Sequence, residues 1–334
     1  MKKIISTGSV GLLFGLLMSC NQTDELALKL GPIQSKFHLD KNLITVSGIS
    51  SGGYMAHQYH IAYSDQVNGA ALFASGPYNC AQGELETALA SCVESAQDLD
   101  LSLLINNVRV AEQKQAIASL GNLKDDKVMI YHGSKDVRVD RNVTRALADF
   151  YAALDVKIKT VFDVASGHGF PTMDFGVECE NTETPHINNC QYDGAGEALS
   201  YFYPGLKRKS SLKGRVYSFS QSEFVEPGGD NTLAETGYIY APEDCQKGAS
   251  CKIHIAFHGC QQNAENVGLD FVENTGYNTW AEANNILVIY PQTKSTYMPL
   301  NPKACWDWWG YTGDDYLARN GAQLKHINNI VMGL

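Results

Sequence analysis

Leu43-Ile44-Thr45-Val46-Ser47-Gly48-Ile49-Ser50-Ser51-Gly52-Gly53 is the stretch on which the fold turns. Its first four residues form a short apolar run of strand type. Gly48 to Gly52 match G-x-S-x-G, and Met55, Tyr59, Ala62 and Tyr63 follow at helical spacing. A strand, a sharp turn and a helix in that order are what a nucleophile elbow requires: the turn exposes the Ser50 hydroxyl, and small residues let strand and helix approach closely. Small residues cluster in many turns, so the flanking strand and helix signals decide the reading. Ser50 is the expected nucleophile. Ser51 sits one place off the motif, and its backbone N–H is better suited to holding an oxyanion.

A serine nucleophile needs a base, and the base needs a carboxylate to orient it. Downstream, the apolar run Val128–Tyr131 leads into His132-Gly133-Ser134-Lys135-Asp136, which places Asp136 in a loop after a strand. The run Ile158–Phe162 is followed by Ser166-Gly167-His168-Gly169, which places His168 between glycines in the next such loop. Ser…Asp…His is the chain order of an α/β-hydrolase. Asp140 and Asp163 compete for the acid role but sit less well after their strands. His57 and His60 fall on the helix after the elbow and are read as packed or exposed rather than catalytic. His132 and His258, each followed by Gly after a strand, are assigned to holding loops.

Further strand-like runs occur at Ala70–Ala74, Ile253–Phe257 and Ile286–Tyr290, and helix-period residues Trp280, Ala281 and Asn284 precede the last. Strands alternating with helices predict an α/β fold with a mainly parallel, helix-covered sheet. Residues 82–123 read as a helix-rich cap, and Leu206–Arg215 as a surface connection. In the usual hydrolase order a strand ending in His-Gly precedes the nucleophile and supplies an oxyanion N–H. Here the matching segment, Ile255-Ala256-Phe257-His258-Gly259-Cys260, lies far downstream of Ser50. The chain closes with a helix-like segment, Ala322–Val331, of the kind that leads into a nucleophile strand. A circularly permuted α/β-hydrolase accounts for both features, since permutation is tolerated where termini lie close at the surface. A separate C-terminal domain is the competing reading.

Lys2 and Lys3, the apolar run Val10–Met18 and Leu17-Met18-Ser19-Cys20 form an export signal of lipobox type, with Cys20 as the lipidated residue. An ordinary cleavable signal is the alternative; the run is short for a membrane span. Asn21 after the cysteine favours the outer membrane. Residues 1–20 are thus a signal peptide and 21–334 a single catalytic domain. Eight further cysteines in an oxidising compartment read as disulfides. Proximity pairs Cys80 with Cys92, Cys179 with Cys190 and Cys245 with Cys251, leaving Cys260 for Cys305. No spacing resembles C-x-x-C or H-E-x-x-H, so neither a metal nor a cofactor is expected. A net charge of −10 argues against nucleic acid as a partner, which needs a basic footprint.

Ser47-Gly48-Ile49-Ser50-Ser51-Gly52-Gly53-Tyr54-Met55-Ala56 resembles the elbow of polyhydroxybutyrate depolymerases and their esterase relatives. Phe257-His258-Gly259-Cys260-Gln261-Gln262, Tyr290-Pro291-Gln292 and Cys305-Trp306-Asp307-Trp308-Trp309 are similar to that family as well. The resemblance spans nearly the whole exported chain and is nearest to the circularly permuted single-domain members. It implies that Ser50 attacks a polyester carbonyl, that Ser51 and Cys260 offer oxyanion N–H groups, and that Trp306 lines the substrate cleft. Trp308, Trp309 and Tyr311 share its neighbourhood and are assigned to packing. The expected activity is therefore hydrolysis of hydroxyalkanoate polyesters or their oligomers. A feruloyl or acetyl esterase on acylated polysaccharides is the alternative within the same chemistry. A non-catalytic envelope lipoprotein binding polymer or carbohydrate is the alternative outside it.

Overall fold

The computed structural model describes residues 28–29, 37–229 and 231–334, so Cys20 and the leader lie outside the described residues. Twelve strands carry the framework. They are β1 (Leu28–Lys29), β2 (His38–Ile49), β3 (Val67–Phe73), β4 (Lys127–Tyr131), β5 (Lys157–Val161), β6 (Phe170–Thr172), β7 (Val177–Glu178), β8 (Ile187–Asn189), β9 (Arg215–Ser220), β10 (Thr236–Ala241), β11 (Ser250–Phe257) and β12 (Ile286–Tyr290). Nine of them form one sheet in the order β1-β9-β10-β12-β11-β2-β3-β4-β5, and β6, β8 and β7 form a small one beside it. From β12 to β5 every neighbouring pair is parallel; β10 alone runs against its two neighbours.

The period of two along each strand explains how the sheet is buried. Ile289, Ile255, Val46, Ala70, Val128 and Ile158 lie side by side across six strands and face one core. Their alternates, such as Met129, Tyr131, Ala256 and Val288, face a second core on the other side. A sheet covered on both faces needs apolar residues at consecutive positions, which is why Ile286–Tyr290 reads as an unbroken run and is buried throughout. The first core also takes in Leu324, Ile327 and Ile330 from the last helix, Ala322–Gly333. That helix is tied to the helix Ser51–Ala62 by a Tyr59 hydroxyl donating to Asn328 Oδ1 at 3.0 Å. This is the expected mainly parallel α/β-hydrolase architecture.

Each strand-like run falls on a strand, with Ala74 and Phe162 one residue past β3 and β5, and residues 85–125 are largely helical. The short strands β1, β6, β7 and β8 match no such run, and neither do β9 and β10, the longest additions. Arg215, taken as the end of a surface connection, opens β9. Both strands lie toward the sheet edge, where fewer residues must be apolar, so neither stands out as an apolar run. The helix Ser51–Ala62 carries a second surprise: every one of its residues is buried. His57 and His60 are packed inside, His60 between the Tyr151 hydroxyl (2.8 Å) and Asp126 (3.0 Å).

Candidate active site

The C-terminal ends of β2, β3, β4, β5 and β11 lie along one edge of the sheet, and their loops meet there. In open α/β sheets that edge is where ligands bind. Ser50 follows β2 directly, with φ 56° and ψ −124°, while its N–H donates to Phe73 O at 2.9 Å. A non-glycine residue held at positive φ costs free energy and persists where the surroundings fix it. Its hydroxyl caps none of the helix amides, so it remains free for a substrate. Gly52 is required by close approach: a Cβ there would stand 2.3 Å from His258 O, at the end of β11. The elbow helix is thereby pressed against the loop that holds Cys260.

Asp136 and His168 come from neighbouring loops that are zipped together. Ser134 N–H donates to Val164 O at 2.7 Å and Lys135 N–H to Ser166 O at 3.1 Å. A Cβ on Gly167 would stand 2.5 Å from two backbone oxygens of the 180–181 turn, which accounts for the glycine before His168. Asp136 Oδ2 lies 2.7 Å from His168 Nδ1, and Oδ1 accepts N–H groups from Arg138 at 2.8 Å and Val139 at 3.1 Å. Burial pushes the Asp136 carboxyl up, but the adjacent His168 ring, His132 and the Arg138 N–H outweigh it and hold the group below its usual range. A carboxylate on Nδ1 fixes the imidazole so that Nε2 is left for chemistry. Asp140 is instead the N-cap of the helix Arg141–Ala152, accepting from Asn142 N at 2.7 Å. His258 bonds its own loop, as expected, whereas His132 bonds the Thr144 hydroxyl on the helix Arg141–Ala152.

Ser50, Ser51, His168 and Cys260 line one cleft of about 600 Å³. Ser51 heads a helix, where backbone N–H groups lack an intrahelical partner. The Cys260 loop is held from several sides. Gly259 N–H donates to Gln262 Oε1 at 2.6 Å, Gln261 N–H to Lys303 O at 2.8 Å, and Cys260 is disulfide-bonded to Cys305. Burial drives His258 down to about 4. It is therefore neutral, accepting at Nε2 from Thr293 N–H at 3.2 Å and donating from Nδ1 to Gly259 O at 2.7 Å. The other three disulfides join Cys80 to Cys92, Cys179 to Cys190 and Cys245 to Cys251, the pairs that proximity predicts.

Trp306 is a correction. It is fully buried and does not line the cleft; its indole N–H donates to His258 O at 2.9 Å from beneath the loop, and its ring packs edge-on against Phe257. The tryptophans that do line the cleft are Trp308 and Trp309, with Trp308 stacked on Tyr54 at 4.2 Å between centroids. The turn explains the division of labour. Buried Asp307 accepts N–H groups from Gly310 at 2.7 Å, Tyr311 at 3.0 Å and Thr312 at 2.8 Å, which bends the chain back between the two faces. His186 is a site residue that sequence reasoning missed. It lines the cleft from the turn before β8, far from any motif, and its only signal is a histidine next to proline. Leu85 and Leu89 line the same cleft from the cap.

Comparison with known proteins gives a consistent picture. Residues 29–191 match the prolyl oligopeptidase family model. The chain is 37% identical over 309 residues to a polyhydroxybutyrate depolymerase of Talaromyces funiculosus, covering 87% of this chain and 89% of that protein. It is also 37% identical over 301 residues to a poly(3-hydroxybutyrate) depolymerase of Delftia acidovorans; there the match covers 88% of this chain but 60% of the relative, which is the longer protein. Two solved structures superpose over 92% of this chain and 99% of theirs at 34% identity. One is the PHB depolymerase of Penicillium funiculosum, with a TM-score of 0.79. The other is a PHB depolymerase variant complexed with an R3HB trimer, with a TM-score of 0.80.

Proposed function

The chain belongs to the polyhydroxybutyrate depolymerase family, and from that premise we propose that it is a serine carboxylesterase cleaving poly(3-hydroxybutyrate) or short hydroxyalkanoate oligomers. One observation carries the reading: a serine held at positive φ faces the same cleft as a histidine whose Nδ1 is fixed by a buried aspartate at 2.7 Å. Ser50 Oγ attacks the ester carbonyl while His168 Nε2 takes its proton. The Ser51 and Cys260 N–H groups hold the developing oxyanion. His168 then gives the proton to the departing alkoxide, and water, activated by the same ring, frees the acid and regenerates Ser50. Asp136 keeps the ring in the tautomer this needs and stabilises it when charged. Trp308, Trp309, Leu85 and Leu89 supply apolar wall for the methyl-bearing chain.

The strand order supports a circular permutation within a single domain. The strand ending in His258-Gly259 lies directly beside the nucleophile strand, although it follows that strand in sequence, and the last helix packs on the elbow helix. Export is part of the same reading, since four disulfides suit an oxidising compartment. A lipid on Cys20 would anchor the enzyme to the envelope. Among the described residues no helix is long and apolar enough to cross a membrane.

Two measurements decide the function. A fluorophosphonate should label wild-type protein on Ser50; an unlabelled protein would be a binder. Parallel assays on hydroxybutyrate oligomers, solid polymer and a feruloylated sugar should show turnover of the first two, and turnover of the sugar alone would reassign the substrate.

A further inference from the structure

We infer that Arg138, Lys303 and His186 form a carboxylate-reading corner of the cleft, which takes the free carboxyl end of a short hydroxyalkanoate oligomer on the leaving-group side of Ser50. The inference rests on the polyester reading and narrows its substrate to chains with a free acid end. The chain has a marked acidic excess, 36 Asp and Glu against 26 Lys and Arg. The cleft departs from this, with Arg138 and Lys303 in its lining against one carboxylate, Glu94. Neither cation enters an ion pair with a described carboxylate. They come from separate loops, Arg138 from the turn after Asp136 and Lys303 from the segment hydrogen-bonded to Gln261.

His186 lines the same cleft and lies near both charges. Its backbone is held at φ 58°, and its carbonyl accepts from Gln262 Nε2 at 2.7 Å and from Phe170 N–H at 2.8 Å. The His186 backbone is thus held by the same glutamine that accepts from Gly259 N–H in the Cys260 loop. Nδ1 is buried without a hydrogen-bond partner among the described residues. A buried unpaired acceptor is tolerated better than a buried unpaired N–H, which puts the proton on Nε2 and makes the accessible edge a donor. Burial, with His168, Arg138 and Lys303 nearby, holds this ring below its usual range, so it stays neutral and binds by donating.

The chemistry of the polymer fixes which end fits. Cleaving a hydroxyalkanoate ester leaves the acyl fragment on serine and releases an alcohol that carries the rest of the chain toward the carboxyl end. His168 must protonate that alcohol, so the leaving fragment lies on the His168 side of the cleft. The Asp136–Arg138 turn and His186 lie on that side, where a planar guanidinium suits a carboxylate.

The test uses the wild-type enzyme on a 3-hydroxybutyrate trimer, as the free acid and as its methyl ester. The free acid should be preferred in kcat/KM by about 2- to 5-fold at low salt, as expected for an exposed charge pair with a second cation beside it. The preference should shrink toward unity at about 1 M salt, where charges are screened within a few ångströms. Arg138→Gln combined with Lys303→Gln should abolish the ratio. Equal kcat/KM for the two trimers in wild type, or a preference that survives the double variant, overturns the assignment. The wild-type comparison requires no variant to fold. Failure to cleave either trimer overturns the polyester reading instead.

Discussion

At the residue scale the proposed mechanism depends on one strained serine and one oriented ring. Ser50→Ala should abolish ester turnover and fluorophosphonate labelling, with the melting temperature unchanged because little packing is lost. Near-wild-type turnover would move the nucleophile, and Ser51 would be examined first. Asp136→Asn replaces an acceptor that fixes His168 Nδ1–H by an amide that can present either edge. The expected loss in kcat is about 1,000- to 10,000-fold, by analogy with the same change in other triads, with KM little altered. His168→Gln should remove most of the turnover while leaving the fold intact, because Ser50 then has no base. The Asp136 carboxyl is held below its unfolded range, so its contribution to stability is present above that range and is lost as pH falls through its folded value.

At the scale of elements, the proposed oxyanion role of the Cys260 loop ties packing to catalysis. An oxyanion donor stabilises charge only if it is in place beforehand. This loop is braced by Gln262, by the Cys260–Cys305 bridge and by the Trp306 indole on His258 O. Trp306→Phe keeps the ring and removes that donor. Turnover should fall with KM little changed, because the residue acts from beneath. Trp308→Ala, on the cleft wall, should instead raise KM. If Trp306→Phe raises KM alone, the indole is reaching substrate after all. Cys305→Ser should lower turnover per folded molecule by more than its cost in stability explains; loss of one oxyanion donor is worth about 100- to 1,000-fold. An ordinary structural bridge would cost about 2–5 kcal/mol of stability and leave the folded fraction fully active.

For the whole molecule, the double-sided sheet sets an acid limit on stability. His57 and His254 are driven by burial down to about 3, and His258 to about 4. Their folded values lie below that of an unfolded histidine, about 6.5, so on acidification the unfolded chain takes up protons that the folded one refuses. Stability is therefore complete above about pH 6.5 and declines as pH falls toward 4. Each such histidine adds about 1.4 kcal/mol per pH unit to that slope. Chemical unfolding at a series of pH values checks this. His254→Gln, which can still meet the Thr45 and Ser47 hydroxyls, should reduce the slope by about that amount, and an unchanged slope would show that His254 is protonated in the folded protein.

What the sequence determined by itself was everything local. The elbow at Gly48–Gly52, the loops holding Asp136 and His168, and the buried strands were legible because each is written in consecutive residues as apolar runs and close-packed glycines. The disulfide pairs were legible for the same reason, three closing short loops and the fourth left by elimination. Tertiary structure alone decided which side of a segment faces the cleft. Trp306, Trp308 and Trp309 are near neighbours of one chemical type, and only the turn around Asp307 sends the first inward and the others to the cleft wall. The helix Ser51–Ala62 shows no polar face because it is covered on all sides, a fact its own periodicity does not contain. His186 joins the site through Gln262 and the packing of two loops distant in sequence. Side-chain direction depends on contacts across the fold, and those exist only once the sheet has brought the loop ends together.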